Sequence, residues 1–186
     1  MRLPLAPKNS INWGRNLLNG LITVVSALLC LGLLPVRLPG MELVGIGPDW
    51  PLLWVVTWSL RRTPLQGLVG GVVMGWLQDA LTNPATGGLW PSHAVGLGLV
   101  GWLTARLEKD RLIQEDFISV ALIVFAMAVV NETAMALQWS VLGSRPLTAV
   151  WTDHQRLALG SAVLSSLWAP IVYLPLSQWW KRQTLA

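Results

Sequence analysis

The sequence predicts an all-α integral membrane protein, a bundle of six transmembrane helices that forms a single membrane domain over residues 1–186. The first supporting observation is composition: 53% of the residues are hydrophobic, 12% are charged, and the mean hydropathy is +0.54. A soluble domain typically carries about 25% charged residues and, at this size, still leaves roughly 30% of its surface in water. The other two observations are six apolar stretches and a biased distribution of basic residues. Together they exclude an ordinary soluble domain, a disordered chain and a fibrous repeat.

The six apolar stretches are measured against a hydrocarbon core of about 30 Å, which a helix of about 20 apolar residues can cross. The first, at about residues 16–34, follows Arg2, Lys8 and Arg15. Its apolar run is longer than that of a cleaved signal peptide and no Ala-x-Ala site follows it, so we expect this helix to be retained. The other five lie at about residues 48–60, 64–81, 89–107, 117–139 and 157–180.

Each later stretch has its own character. The second is short, and its roughly 13 residues cover only about 20 Å. The third and fourth are rich in glycine and alanine, the fifth is the most continuous apolar run, and the sixth ends at Trp179 and Trp180. The connecting segments are too short to hold a soluble domain.

The lysines and arginines predict the orientation. With the N-terminus in the cytoplasm, ten of the 13 basic residues fall in inner segments and three, Arg37, Arg145 and Arg156, fall in outer segments. Membrane proteins concentrate basic residues on the cytoplasmic side. Omitting the short second helix would invert every later helix and spoil this asymmetry, so six spans with both termini cytoplasmic are predicted.

Tryptophan is unusually common, with 12 copies, and its ring favours the headgroup boundary of a bilayer. Trp50, Trp54 and Trp58 repeat every four residues and therefore share one face of the second helix. Two interpretations stay open for that face, namely lipid anchoring with packing, or a wall that stacks a ligand. The predicted membrane-interface anchors are Trp50, Trp58, Trp90, Trp179 and Trp180.

The third helix contains a doubled GxxxG pattern formed by Gly67, Gly71 and Gly75. Glycines at this spacing make a groove in which another helix backbone can approach closely. The occupant is either the small-residue fourth helix of the same chain or the helix of a partner protein. We treat the three glycines as candidate partner-interface residues.

Three polar residues lie within the predicted spans and are further interface candidates. Asp79 closes the third helix, where it either caps a nearby turn or the fourth helix, contacts a partner, or handles a proton or an ion. Asn131 and Glu132 lie within the fifth span. A carboxylate at membrane depth is costly, so Glu132 should face the bundle and pair with a neighbour such as His93, Asp79 or Arg156, or else be protonated. Structural pairing, a partner interface, and substrate or proton handling remain open for it.

Several function classes are not expected. A single cysteine, Cys30, and two distant histidines, His93 and His154, offer no local metal-ligand spacing. The basic residues lie in short clusters between apolar runs, so no nucleic-acid partner is predicted. The sequence contains no Gly-rich phosphate loop, no HExxH and no G-x-S-x-G pattern, so no enzyme, catalytic residue or cofactor is predicted.

Two segments carry a family resemblance. The segment PDWPLLWVVTWSLRR, residues 48–62, is an apolar helix that opens with Pro-Asp and ends in basic residues. The segment GLVGGVVMGWLQDALTNPATGGLWPSHAVGLGLVGWL, residues 67–103, joins a glycine-rich helix with a Gly-x-x-x-Asp end, at Gly75 and Asp79, to a small-residue helix. Both segments resemble the rod shape-determining protein family MreD.

The resemblance implies a non-enzymatic scaffold in the bacterial inner membrane that belongs to the cell-elongation (rod shape, peptidoglycan synthesis) machinery. The implied partners are membrane lipid, an MreC-like protein bound through transmembrane helix packing, the actin-like MreB and wall-synthesis enzymes. The MreD family is also similar in fold to the substrate-binding subunits of energy-coupling-factor vitamin transporters. The alternative function is therefore a substrate-binding membrane subunit for a vitamin or other small solute, with Trp50, His93 and Glu132 lining an outward pocket; a small-molecule ligand is the less expected of the two.

Overall fold

The computed structural model describes residues 13–36, 45–82, 92–107, 117–141 and 147–184. Regular structure in these ranges is helical, without strands, which confirms the all-helical prediction for the described part of the chain. The helices found there are α1 (Trp13–Gly32), α2 (Trp50–Ser59), α3 (Pro64–Thr82), α4 (His93–Arg106), α5 (Phe117–Val141) and α6 (Leu147–Thr184).

Two helices are long and apolar enough to cross a membrane, over Ile118–Val141 in α5 and Ala158–Trp179 in α6. In the most apolar 18-residue stretch of each helix, only 44% (α5) and 33% (α6) of the stretch is buried in the protein, so most of each stretch faces outward. A core helix of a soluble protein would be mostly enclosed. Large apolar side chains are also exposed elsewhere, as at Leu21 (59%) and Leu122 (67%). These features support a transmembrane protein.

The short helix α2 is the centre of the structure and packs on each of the other five helices. Asp49 caps its start, because the carboxylate accepts a hydrogen bond from the Leu52 N–H at 3.0 Å. Leu52, Leu53 and Val55 are fully buried. A helix of 10 residues is only about 15 Å long, yet it needs no lipid contact when its neighbours enclose it.

The other helices surround α2 as two close pairs and one looser member. α3 packs on α4, and α5 packs on α6. α6 is 38 residues long and contains Pro170 and Pro175, and it begins at Leu147, upstream of the predicted span at 157–180. α1 packs mainly on α2, so much of its apolar surface is exposed.

Candidate functional site

The glycine pattern of α3 is a seam with α4 of the same chain. A Cβ atom built on Gly67 would overlap the carbonyl of Gly101, and one built on Gly71 would overlap that of Leu97. A Cβ on Gly75 would overlap the backbone of Ala94. Of the two occupants predicted for this groove, the structure shows the fourth helix, so α4 already covers the three glycines offered as partner-interface candidates.

Asp79 extends this seam by capping the start of α4. Its carboxylate accepts hydrogen bonds from the Ser92 hydroxyl at 2.6 Å and from the His93 N–H at 3.1 Å, and it also contacts the His93 ring at Nδ1. The Ser92 hydroxyl in turn accepts from the Ala94 N–H at 3.1 Å. The first N–H groups of a helix lack partners within it, and a carboxylate there also favours the helix dipole. The structure thus shows the capping interpretation of Asp79.

Gln138 attaches α5 to the same point. Its side-chain oxygen accepts from the Ser92 N–H at 3.0 Å, and its Nε2 donates to the Ser92 carbonyl at 3.1 Å. Gln138 is buried, and a buried amide that satisfies both of its ends holds one geometry. The start of α4 is therefore fixed by α3 on one side and by α5 on the other.

Asp49 forms a second polar contact, between α2, α5 and α6. Its carboxylate accepts from Asn131 Nδ2 at 3.4 Å, and its N–H donates to the Ser165 hydroxyl at 3.0 Å. Asn131 also lies against Gly96 in the first turn of α4, which links this contact to the Asp79 cap, and Glu132 follows Asn131 in α5. We refer to all these residues as the polar cluster: Asp49, Asp79, Ser92, His93, Asn131, Glu132, Gln138 and Ser165.

Sequence analysis singled out four members of the polar cluster and missed the rest. It named Asp79, His93, Asn131 and Glu132. Asp79 bonds to His93, Asn131 bonds to Asp49, and Glu132 is the neighbour of Asn131 in α5. Ser92 and Asp49 could have been found from capping rules, because each precedes an apolar helix and has a side-chain oxygen suited to a helix N-terminus. No local pattern could have found Gln138, because its partner lies 46 residues away along the chain.

The predicted tryptophan anchors differ in burial and in the residues that they contact. Trp50 is only 6% exposed and packs edge-on against Trp168, with ring centroids 5.5 Å apart, so it belongs to the core and lipid cannot reach it. The wall of an open ligand pocket is excluded for Trp50 by the same burial. Trp58 stacks on Trp54, and the Arg62 guanidinium lies 5.0 Å from its ring centre. Trp179 is half-buried against the core.

Two predicted anchors are not described in this detail. Trp90 lies outside the described residues, and Trp180 is placed only as a position within α6.

An apolar cleft separates α1 from α3. It consists of two adjoining cavities of about 400 and 640 Å³ that share Leu77. Trp58 and Val73 line the first cavity, and Leu28 and Leu81 line the second. Polar lining residues lie towards the two ends of α3, at Gln66 and Thr82. This α1–α3 cleft is a long apolar surface that the described helices leave open.

Within the described ranges, His, Cys, Asp and Glu residues do not come together in a group of three or more that could hold a metal ion.

No family model and no solved structure matches the chain. The chain is similar to a UPF0397 protein of Vibrio atlanticus, with 26% identity over 114 residues, a match that covers 57% of this chain. The chain spans 61% of the length of that curated relative. Identity and coverage at this level do not establish a family.

Proposed function

We propose that this chain is a non-enzymatic, MreD-type scaffold of the bacterial inner membrane, and that it binds the transmembrane helix of an MreC-like partner in the α1–α3 cleft. In this proposal all six helices cross or are enclosed within the bilayer, and both termini are cytoplasmic. Through the partner, the scaffold would take part in cell elongation with MreB and the peptidoglycan-synthesis enzymes. The observation that carries the proposal is the open apolar cleft along α3.

The length of the cleft suits a transmembrane helix. Its lining runs along α3 from Leu65 to Thr82, a distance of about 25 Å at 1.5 Å per residue, against a hydrocarbon core of about 30 Å. Gly70 lies on this side of α3 and removes bulk beside Trp58. Because lipid provides no hydrophobic drive between helices, close packing must supply the affinity, and a preformed cleft offers more contact area than a flat face.

The residues of α3 that carry the resemblance to MreD lie on its α4 side, away from the cleft. Gly71, Gly75 and Asp79 join α3 to α4, and this fixes the pair as one rigid unit. The polar cluster likewise bonds the starts of α2 and α4 to neighbouring helices. The opposite side of α3 is left for a neighbouring protein.

The proposal predicts that filling the cleft blocks partner binding. Leu77 is shared by both cavities and is 42% exposed, so the change Leu77→Trp adds bulk inside the cleft without entering the α3–α4 seam. We expect about tenfold less co-purified MreC-like protein, because overpacking an interface typically costs 1–3 kcal/mol. The measurement is affinity purification from membranes with quantification of the bound partner.

The matched control is Leu122→Trp, the same enlargement on an exposed position of α5, which should leave the bound amount unchanged. Equal retention of the partner by both variants would remove the cleft from the proposal. One observation favours the alternative of a solute-binding subunit, namely the polar side chains that meet inside the bundle at Asp49, Asn131 and Ser165. A thermal-shift screen with vitamins separates the two functions, because one saturable stabilising ligand would support a transporter subunit over a scaffold.

A further inference from the structure

We propose that a second, shorter groove, between α3 and α4, binds one anionic phospholipid, with an acyl chain along the groove and the phosphate on Arg106. This site is separate from the α1–α3 cleft. The inference requires that α3 and α4 cross the membrane, as proposed above, but it does not depend on the identity of any protein partner.

The groove has an apolar lining and an open rim. It encloses about 320 Å³ and is lined by Leu68, Val72, Val95, Gly98, Leu99 and Trp102 among others. Val95 is 44% exposed and Leu99 is 38% exposed, so the rim faces the surroundings. Gly98 keeps the floor low, because a Cβ there would lie 2.7 Å from the Val72 methyl carbon Cγ2.

A basic group stands at one end of this groove. The Arg106 guanidinium lies 4.1 Å from the centre of the Trp102 ring, and Arg106 itself is exposed in the last turn of α4. Stacking on an aromatic ring holds a guanidinium through its flat face. Its N–H donors lie in the plane of the group, in the fork geometry that binds phosphate oxygens.

The length of the groove selects the occupant. From Ala94 to Trp102 it runs about 12 Å, close to the roughly 15 Å of hydrocarbon in one leaflet. An acyl chain of a single lipid fits this length, whereas a spanning helix needs the full depth that the α1–α3 cleft provides. A basic pocket between transmembrane helices at the membrane boundary is the known setting for anionic headgroups.

The same end of the bundle carries a second stacked arginine. Gly67, near the start of α3, packs on Gly101 and Ala105, near the end of α4. Arg62, two residues before α3 begins, therefore lies at the same end as Arg106, and it also stacks on a tryptophan, Trp58. Arg62 stacks on the side of α3 that faces α1, so Arg106 is the guanidinium beside this groove. A zwitterionic lipid would bring its own cation next to Arg106, whose charge therefore favours a headgroup with net negative charge.

Native mass spectrometry of the full-length chain in detergent tests the site. The chain is offered equal amounts of phosphatidylglycerol and phosphatidylcholine, and the retained lipid is counted. We expect about fivefold more phosphatidylglycerol, the factor that corresponds to one basic residue at a lipid surface. Arg106→Gln should bring the ratio to about one, and Arg106→Lys should give an intermediate ratio, because an ammonium keeps the charge but lacks the planar fork.

A second pair of variants tests the groove itself. Val95→Trp fills the groove from its exposed rim and should lower the total retained lipid, whereas Leu122→Trp on α5 should not. Thermal unfolding of each variant identifies any that fails to fold. Equal retention of the two lipids by the unmodified chain, or an unchanged ratio in Arg106→Gln, would overturn the inference. Neither outcome would bear on the proposed partner site in the α1–α3 cleft, because Leu77→Trp tests that site separately.

Discussion

At the scale of single residues, polar side chains connect one helix to another through hydrogen bonds. Asp49 caps α2 and bonds to Asn131 of α5, whereas Asp79 lies in α3 and caps α4. Gln138 of α5 bonds to the backbone of Ser92. A polar group that is buried without a partner is costly, so each such bond narrows the arrangements open to the bundle. This accounts for aspartates and amides in a chain that is otherwise so apolar.

Asn131 is the most constrained of these residues. It is 1% exposed, its Nδ2 donates to Asp49, and its Oδ1 has no hydrogen-bond partner among the described residues. That oxygen lies against Gly96, where any Cβ would overlap it. Gly96 therefore makes the space that Asn131 needs to reach Asp49.

We predict that Gly96→Ala lowers stability by about 1–3 kcal/mol, because the new methyl group displaces Asn131 and breaks its bond to Asp49. The measurement is thermal unfolding of the purified chain in detergent. In an Asn131→Ala background the oxygen is gone, so Gly96→Ala should cost much less there. Costs that simply add in the double variant would contradict the direct contact.

At the scale of elements, α3 and α4 owe their pairing to the absence of side chains. The contacts at Gly67 and Gly71 are with backbone carbonyls, which cannot swing aside as a flexible side chain would. α2 shows the opposite strategy, because nine of its ten residues are buried and large apolar side chains fill the centre of the bundle. The position of α3 is thus fixed by close backbone contact with α4, and the position of α2 is fixed by burial among its neighbours.

A pair of glycine substitutions separates packing from helix propensity. Gly71→Ala should lower stability by about 1–3 kcal/mol or more, because α3 and α4 must move apart. Gly20 lies in α1 with nothing within 4 Å of a new Cβ, so Gly20→Ala should leave stability unchanged or raise it by up to about 1 kcal/mol. Thermal unfolding of the two variants compares them, and equal melting temperatures would mean that the seam is not tight.

At the scale of the whole molecule, the arrangement places the basic residues consistently. Gly67 packs on Gly101, so the start of α3 and the end of α4 lie at the same end of the bundle. The segment just before α3 carries Arg61 and Arg62, and the last turn of α4 carries Arg106. The geometry and the distribution of positive charge therefore agree on one basic end, which in the proposed topology faces the cytoplasm.

Reporter fusions test this topology. Fusions placed after Arg62 and after Lys109 should report the same, cytoplasmic side of the membrane, because α3 and α4 return the chain to the end from which it started. A fusion at the C-terminus should report that side as well. Opposite sides for the first two fusions would show that an odd number of spans separates these two points, so α3 and α4 would not cross the membrane as a pair.

The amino-acid sequence by itself determined the helices and the apolar character of the protein. Hydrophobic runs, helix-breaking prolines and capping residues are local signals, so α3 and α5 begin at the residues predicted, Pro64 and Phe117. The glycine spacing of α3 also revealed a packing face, and Asp79 was recognisable as a cap.

Only the tertiary structure decided which surfaces these elements use. In the folded protein α4 covers the glycine face of α3, and Trp50 lies in the core. The side of α3 that faces α1 stays open. Asn131 and Gln138 bond to residues far away in the chain. A periodic pattern shows that a face is apolar or small, but which neighbour covers it depends on how the other described helices share the limited space around α2.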